Sequence, residues 1–147
     1  MIRPARPTDE PEIRTCAEQA YARYVPLIGR KPAPMFADYA AQIAAAQVSV
    51  ALRDHVFLGF IVFYAVDRHM LLENVAVMPA CAGQGVGKAL IDHCEQAARQ
   101  QRLTDVQLYT HQRMTDNLAI YTRLGYVEVG RRTEDGFQRV YFEKTLL

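Results

Sequence analysis

The clearest periodicity in the chain lies near its middle. Over Val86–Arg99 the apolar side chains Val86, Leu90, Ile91, Cys94, Ala97 and Ala98 recur at spacings of three and four, which is one face of a helix. Just before it, a run from Leu71 mixes apolar residues with Glu73 and Asn74, closes on Val75, Val77 and Met78, and stops at Pro79. Proline cannot donate to a sheet ladder, so the run reads as a strand that ends there. Gly83, Gly85 and Gly87 stand between the strand and the helix. At such a junction the first helical N–H groups point outward, the macrodipole favours negative charge, and glycine lets an anion approach closely. The turn is a candidate pyrophosphate site.

The same reading of apolar and polar positions orders the rest of the chain. Met1–Pro4 is a short strand. Thr8 or Asp9 caps a helix, with Glu12 three residues after Asp9 as in a capping box, and Ile13, Ala17, Ala20, Tyr21 and Tyr24 form its stripe. Pro26 ends it near Val25. Val25–Pro34 reads as a loop, and its Arg30 and Lys31 suit a ligand-binding segment or a solvated connector equally. A second helix is expected from about Ala33 to Gln47, with Met35, Phe36, Tyr39 and Ile43 inward. Val48–Arg53 and Val56–Val66 are strands joined at Asp54-His55, and the second is apolar enough to be central. Asp67-Arg68-His69 turns the chain into the strand before the glycines. After the long helix, Asp105–Thr110 is a strand reached by a parallel crossover. Thr115 or Asp116 caps a short helix that carries Leu118, Tyr121 and Leu124 on one face and ends at Gly125. Tyr126–Arg132 and Phe137–Lys144 close the chain as a hairpin across Glu134-Asp135-Gly136. The predicted order is β-α-α-β-β-β-α-β-α-β-β: an α/β fold with a mixed, mostly antiparallel sheet, one parallel crossover and helices on both faces, in a single domain over residues 1–147.

Spacing decides whose phosphate the turn suits. Gly87-Lys88 is followed by Ala89 rather than a hydroxyl residue, and Ala82 stands where a P-loop needs its first glycine. Gly83-Gln84-Gly85 begins a dinucleotide fingerprint, but Lys88 takes the place of its third glycine. The segment resembles instead the turn of the GNAT superfamily of acetyl-CoA-dependent N-acetyltransferases, Arg/Gln-x-x-Gly-x-Gly/Ala after a strand ending V-x-P-like. Gly85 and Gly87 match, Val75-Ala76-Val77 with Pro79 match the strand, and Ala82 replaces the Arg/Gln. Asn117–Tyr126, NLAIYTRLGY, resembles the family segment that ends in Tyr-x-x-x-Gly-Phe/Tyr. Many members place an Asn seven residues before that Tyr; here Met114 stands there, and Asn117 lies four before Tyr121 on the same helix face.

The resemblance covers essentially the whole chain. It implies transfer of an acetyl group from acetyl-CoA to a primary amine of a small molecule or peptide, by direct attack in a ternary complex. It also implies that acetyl-CoA contacts Val75, Ala76, Val77, Ala82, Gly83, Gly85, Val86, Gly87, Lys88 and Asn117, and it is compatible with a homodimer. The alternatives are a non-catalytic acyl-CoA-binding regulatory module and, against the spacing, a nucleotide or NAD enzyme.

Amide formation sets further demands. The amine, with an ordinary pKa near ~10.4, must lose a proton, and the departing thiolate, with a parent pKa near ~8.5, must gain one. The resemblance places Tyr121 beside the CoA sulfur as the acid, against the reading of a tyrosine packed on the sheet. Glu73 shares a strand face with Val75 and Val77 and is the candidate base, or else a structural carboxylate paired with a Lys or Arg. His69 and His111 are reserve bases. The resemblance implies that the backbone N–H of Val75 or the next residue faces the thioester carbonyl. Cys81 and Cys94 raise an acyl-cysteine route, though Cys94 reads most simply as core. By the same resemblance Arg23, Tyr24, Arg30, Lys31, Tyr39, Arg131, Arg132 and Phe137 wall the acceptor side.

Composition narrows the partners. The chain has 147 residues, 50% hydrophobic and 22% charged, as expected of a globular domain. A net charge of +1 recruits neither nucleic acid nor an anionic membrane surface. No apolar run approaches the ~20 residues of a membrane span. Met1–Glu10 carries no signal-type segment, and Cys16, Cys81 and Cys94 lack metal spacing. A cytoplasmic enzyme that needs no metal is the expectation.

Overall fold

The computed structural model describes residues 1–146; Leu147, where the expected domain ends, lies outside them. The strands are β1 (Ile2–Pro4), β2 (Val48–Arg53), β3 (Val56–Val66), β4 (His69–Val77), β5 (Asp105–His111), β6 (Val127–Glu134) and β7 (Phe137–Thr145). The helices are α1 (Glu10–Tyr21), α2 (Val25–Ile28), α3 (Tyr39–Ala44), α4 (Val86–Gln100) and α5 (Thr115–Arg123). The strands form one seven-stranded sheet in the order β1-β2-β3-β4-β5-β7-β6. β4 and β5 run parallel, with His69 to Leu72 registered against Asp105 to Leu108. The α4 crossover requires this, because a helix returns the second strand in the direction of the first. The pairs β1/β2, β2/β3, β5/β7 and β6/β7 are antiparallel.

Two compact units divide the chain, Met1–Phe63 with Asn74–Cys94, and Tyr64–Glu73 with Glu95–Leu147. In the first, α1 buries Ile13, Cys16, Ala17 and Tyr21, as its stripe predicts. Its start differs from expectation. The Asp9 side chain does not cap α1; it accepts from the Arg6 N–H at 2.7 Å and from both Arg3 terminal nitrogens at 2.8 and 3.1 Å. The Arg3 guanidinium holds the Asp9 carboxyl below its ordinary range. Past α1, a 3-10 turn at Ala22–Tyr24 leads into α2 where a loop was expected. Pro26 sits in the first turn of α2, where its missing N–H leaves no hydrogen bond unmade. Gly29, at φ +88°, ends that helix.

The second long helix expected over Ala33–Gln47 is only α3, preceded by a 3-10 turn at Ala33–Met35. Pro32 and Pro34 hold the chain out of helix there, and the Asp38 carboxylate starts α3 by accepting from the Ala41 N–H at 3.1 Å. Phe36, expected inward, is 63% exposed. The β2–β3 hairpin turns at Asp54 and His55, with φ 52° and 67° as a two-residue turn demands.

In the second unit, β5 buries Val106 and Leu108, and β7 buries Val140 and Phe142. The ring of Tyr121 on α5 packs on Phe142 and Tyr126, with centroids 5.9 Å away in each case. Met114, not Thr115 or Asp116, is the N-cap of α5, and it makes no side-chain cap bond. Gly125 follows the helix at φ +94°, the expected stop. Glu95, on the α4 face read as apolar, is 4% exposed. The Tyr126 hydroxyl and the Lys144 ammonium each donate to it at 2.9 Å, which pairs the buried charge.

Candidate active site

In the first unit β4 ends at Val77 and a 3-10 turn, Pro79–Cys81, leads into the glycines. Gly83 and Gly85 have φ +79° and +80°, a backbone that other residues resist, and a Cβ on either would meet nothing within 4 Å. The first helical hydrogen bond runs from the Ala89 N–H to the Gly85 carbonyl at 3.0 Å. Among the described residues, the Val86 and Gly87 N–H groups have no backbone acceptor. The turn therefore offers exposed backbone at a helix start, the requirement for an anion cradle. Ala82 through Gly85 are exposed and Val86 is buried. The Lys88 ammonium reaches Asp92 at 2.9 Å, one turn along α4. Arg53, at the end of β2, donates to Gln84 Oε1 at 3.1 Å and brings a cation to the glycine turn that sequence reading did not foresee.

Gly59 also escaped notice. A Cβ there would lie 2.5 Å from the Ala76 carbonyl oxygen and 3.1 Å from Val77 Cα, so β3 lies against the last residues of β4 only because this residue has no side chain. Asn74 is 5% exposed and anchors a polar chain in the same unit. It accepts from the Tyr21 hydroxyl at 2.6 Å, and its Nδ2 donates to the Tyr39 hydroxyl at 2.8 Å, which donates to the Pro34 carbonyl at 2.5 Å. The Tyr21 hydroxyl also stands 3.1 Å from the Val75 carbonyl oxygen. Tyr39 and Tyr24 are 1% and 5% exposed, so both are core rather than wall residues. The Arg23 guanidinium donates to the Tyr24 hydroxyl at 2.6 Å.

Along β4 the half-buried His69, Leu71, Glu73, Val75 and Val77 alternate with buried neighbours, which is the face expected for Glu73. In the second unit the Tyr64 hydroxyl donates to Glu73 Oε1 at 2.9 Å. Burial first, then this carboxylate, push the Tyr64 phenol up to about 12. Tyr64 therefore stays a donor through the neutral range, and the carboxylate has a phenol partner that the sequence did not suggest. Of the reserve bases, His69 hydrogen-bonds through Nδ1 to Asp105, which raises its pKa. His111 Nδ1 accepts from the Arg113 N–H at 3.0 Å.

Tyr121 is 7% exposed. One turn before it, the Asn117 amide donates to the Met114 sulfur at 3.6 Å. On the closing hairpin Arg131 is paired with Glu128 at 3.0 Å, while Arg132 lies with its guanidinium 4.9 Å from the Tyr141 ring centroid. Cys16, Cys81 and Cys94 form no disulfide, Cys94 is fully buried, and burial pushes the Cys16 thiol up to about 12. Among the described residues no group of three or more His, Cys, Asp or Glu stands ready for a metal, and no helix is long and apolar enough to cross a membrane.

The profile of the acetyltransferase (GNAT) family matches residues 13–126. The fold is similar to that of the PaiA N-acetyltransferase from Thermoplasma acidophilum, solved in complex with coenzyme A, at a TM-score of 0.80 and 16% identity over 99% of this chain and 98% of that one. It is also similar to the ribosomal-protein-S18-alanine N-acetyltransferase from Escherichia coli, at 0.76 and 20% identity over 99% and 92%. A nourseothricin acetyltransferase matches at 0.63 and 26% identity over 67% of this chain and 64% of that one. No curated protein matches the sequence.

Proposed function

Since this chain belongs to the GNAT acetyltransferase family, we propose that it moves an acetyl group from acetyl-CoA to a primary amine of a small molecule or peptide, within a ternary complex. The observation that carries this reading is the exposed turn Gly83–Gly85 at the start of α4, with both glycines before the helix at positive φ and the Val86 and Gly87 N–H groups without a backbone acceptor among the described residues. Phosphate oxygens accept from such N–H groups, and the +0.5 end of the helix dipole adds to the attraction. Val75, Ala76, Val77, Ala82, Gly83, Gly85, Val86, Gly87, Lys88 and Asn117 are the residues assigned to acetyl-CoA. The whole of 1–147 acts as one catalytic domain. Three cysteines outside any disulfide fit a reducing, cytoplasmic compartment.

The chemistry assigned to the side chains balances. The amine nitrogen attacks the thioester carbonyl carbon, and the new C–N bond forms as the C–S bond breaks. The excess proton on nitrogen goes to the Glu73 carboxylate. The Tyr64 hydroxyl occupies one side of Oε1, and a carboxylate has further lone pairs for that proton. The negative charge that develops on the carbonyl oxygen is met by the N–H of Val75 or the next residue. The departing thiolate takes the Tyr121 phenolic proton; solvent returns one to the phenolate and takes the one left on Glu73. Acetyl-CoA-dependent thiol release across amino acids, polyamines, aminoglycosides and peptides tests the reading. Release that requires an amine supports it; binding of acetyl-CoA without release from any amine refutes it.

A further inference from the structure

We infer that Arg132 and Arg139 form a subsite for a carboxylate, so that the acceptor is an amino acid or peptide-like amine whose acidic group lies several bonds from its nitrogen. This rests on the reading of the chain as an amine acetyltransferase with Glu73 as base.

Arg132 on β6 and Arg139 on β7 are direct cross-strand partners. Two like charges facing each other on neighbouring strands are unfavourable unless something negative meets them. Among the described residues neither guanidinium has an ion-pair partner. Both lie on aromatic rings instead: Arg139 is 4.4 Å from the Tyr109 centroid, and Arg132 is 4.9 Å from that of Tyr141. Stacking fixes each guanidinium plane and leaves its N–H edge for a planar anion. Gly130 pairs with Tyr141, and a Cβ there would meet nothing within 4 Å, so no side chain from that position covers the ring.

The same unit joins these arginines to the proposed base. Tyr109 pairs with Tyr141, their centroids 5.5 Å apart. Tyr109 is also close enough to Tyr64 to raise its pKa electrostatically, and Tyr64 is bonded to Glu73. A strip therefore runs from Glu73 through Tyr64 and Tyr109 to Arg139 and Arg132. β4 and β7 lie two strands apart, roughly 10 Å, which sets the amine and the acid several bonds apart. Charge selects between acids. Glu134, two residues from Arg132 on the same strand, is held by the Tyr141 hydroxyl, so the arginine end of the strip, away from Glu73, presents two guanidiniums against one carboxylate and suits a monoanion.

The test uses 6-aminohexanoate and its neutral amide as acceptors in the thiol-release assay. The wild type is expected to favour the acid in kcat/KM by about 10–100-fold, the usual effect of a charge-assisted contact. In Arg132→Gln/Arg139→Gln that ratio should fall to near one, and Arg139→Lys, which keeps the charge, should retain part of it. Binding of N-acetyl-6-aminohexanoate, followed on the arginine Nε–Hε resonances, reads the subsite without turnover. Shifts at Arg132 and Arg139 in an enzyme that acetylates no amine would uphold the subsite and overturn the function. A wild-type ratio near one with no such shifts would overturn the subsite while any turnover upheld the function.

Discussion

At Tyr121 a single hydroxyl separates an acid from a packing ring. The ring lies on Phe142 and Tyr126, and phenylalanine would keep both contacts. Tyr121→Phe is expected to leave acetyl-CoA affinity nearly unchanged and to lower kcat and kcat/KM together by about 10²–10⁴-fold. A steady-state comparison with a calorimetric titration checks both halves, and a kcat within about threefold of wild type would make Tyr121 core alone. Glu73→Gln keeps an acceptor for the Tyr64 hydroxyl, so its loss reads the base rather than the scaffold. Its kcat should fall most near neutral pH and recover as pH rises, since more amine is then already neutral. An unaltered pH–rate profile would leave Glu73 structural. The face of Glu73 was legible because strand side chains alternate. Its partner was not: Tyr64 lies nine residues back, on β3, and only the pairing of the strands could reveal it.

Among the elements, the junction of β4 with α4 is the one whose backbone geometry matters most. Gly85 precedes the first helical bond at φ +80°, in open space. Gly85→Glu puts bulk and negative charge where a phosphate must lie, and should abolish acetyl-CoA binding while circular dichroism still reports a folded chain. Unchanged affinity in a folded variant would remove the pyrophosphate from this turn. The strands and the Asp54-His55 hairpin turn were legible because alternation and short polar turns are local signals. The stretch from Val25 to Gln47 was misread for the opposite reason. Pro26 is harmless in a first helical turn, Pro34 is not harmless in a longer helix, and only the Asp38 cap shows where α3 starts. Gly59 carried no sequence signal because its role is set by the Ala76 carbonyl of a neighbouring strand.

For the whole molecule, element order was the most readable property, since a strand, a long helix and another strand admit one parallel pairing, and β4 with β5 is that pair. Buried polar groups were the least readable. Glu95 sits on a helix face that pattern alone marks as apolar, and its partners Tyr126 and Lys144 lie 31 and 49 residues away. Asn74 likewise ties Tyr21 and Tyr39 together across separations of 53 and 35 residues. Such groups are settled by hydrogen-bond satisfaction in three dimensions, which leaves no periodic trace. The central claim, direct transfer from acetyl-CoA to an amine, is tested most directly by initial rates of thiol release over a grid of both substrates. Direct transfer gives intersecting double-reciprocal lines and no thiol release without an amine. Parallel lines with a stoichiometric burst of thiol from acetyl-CoA alone would contradict it, since they would mean an acetylated enzyme stands between the two substrates.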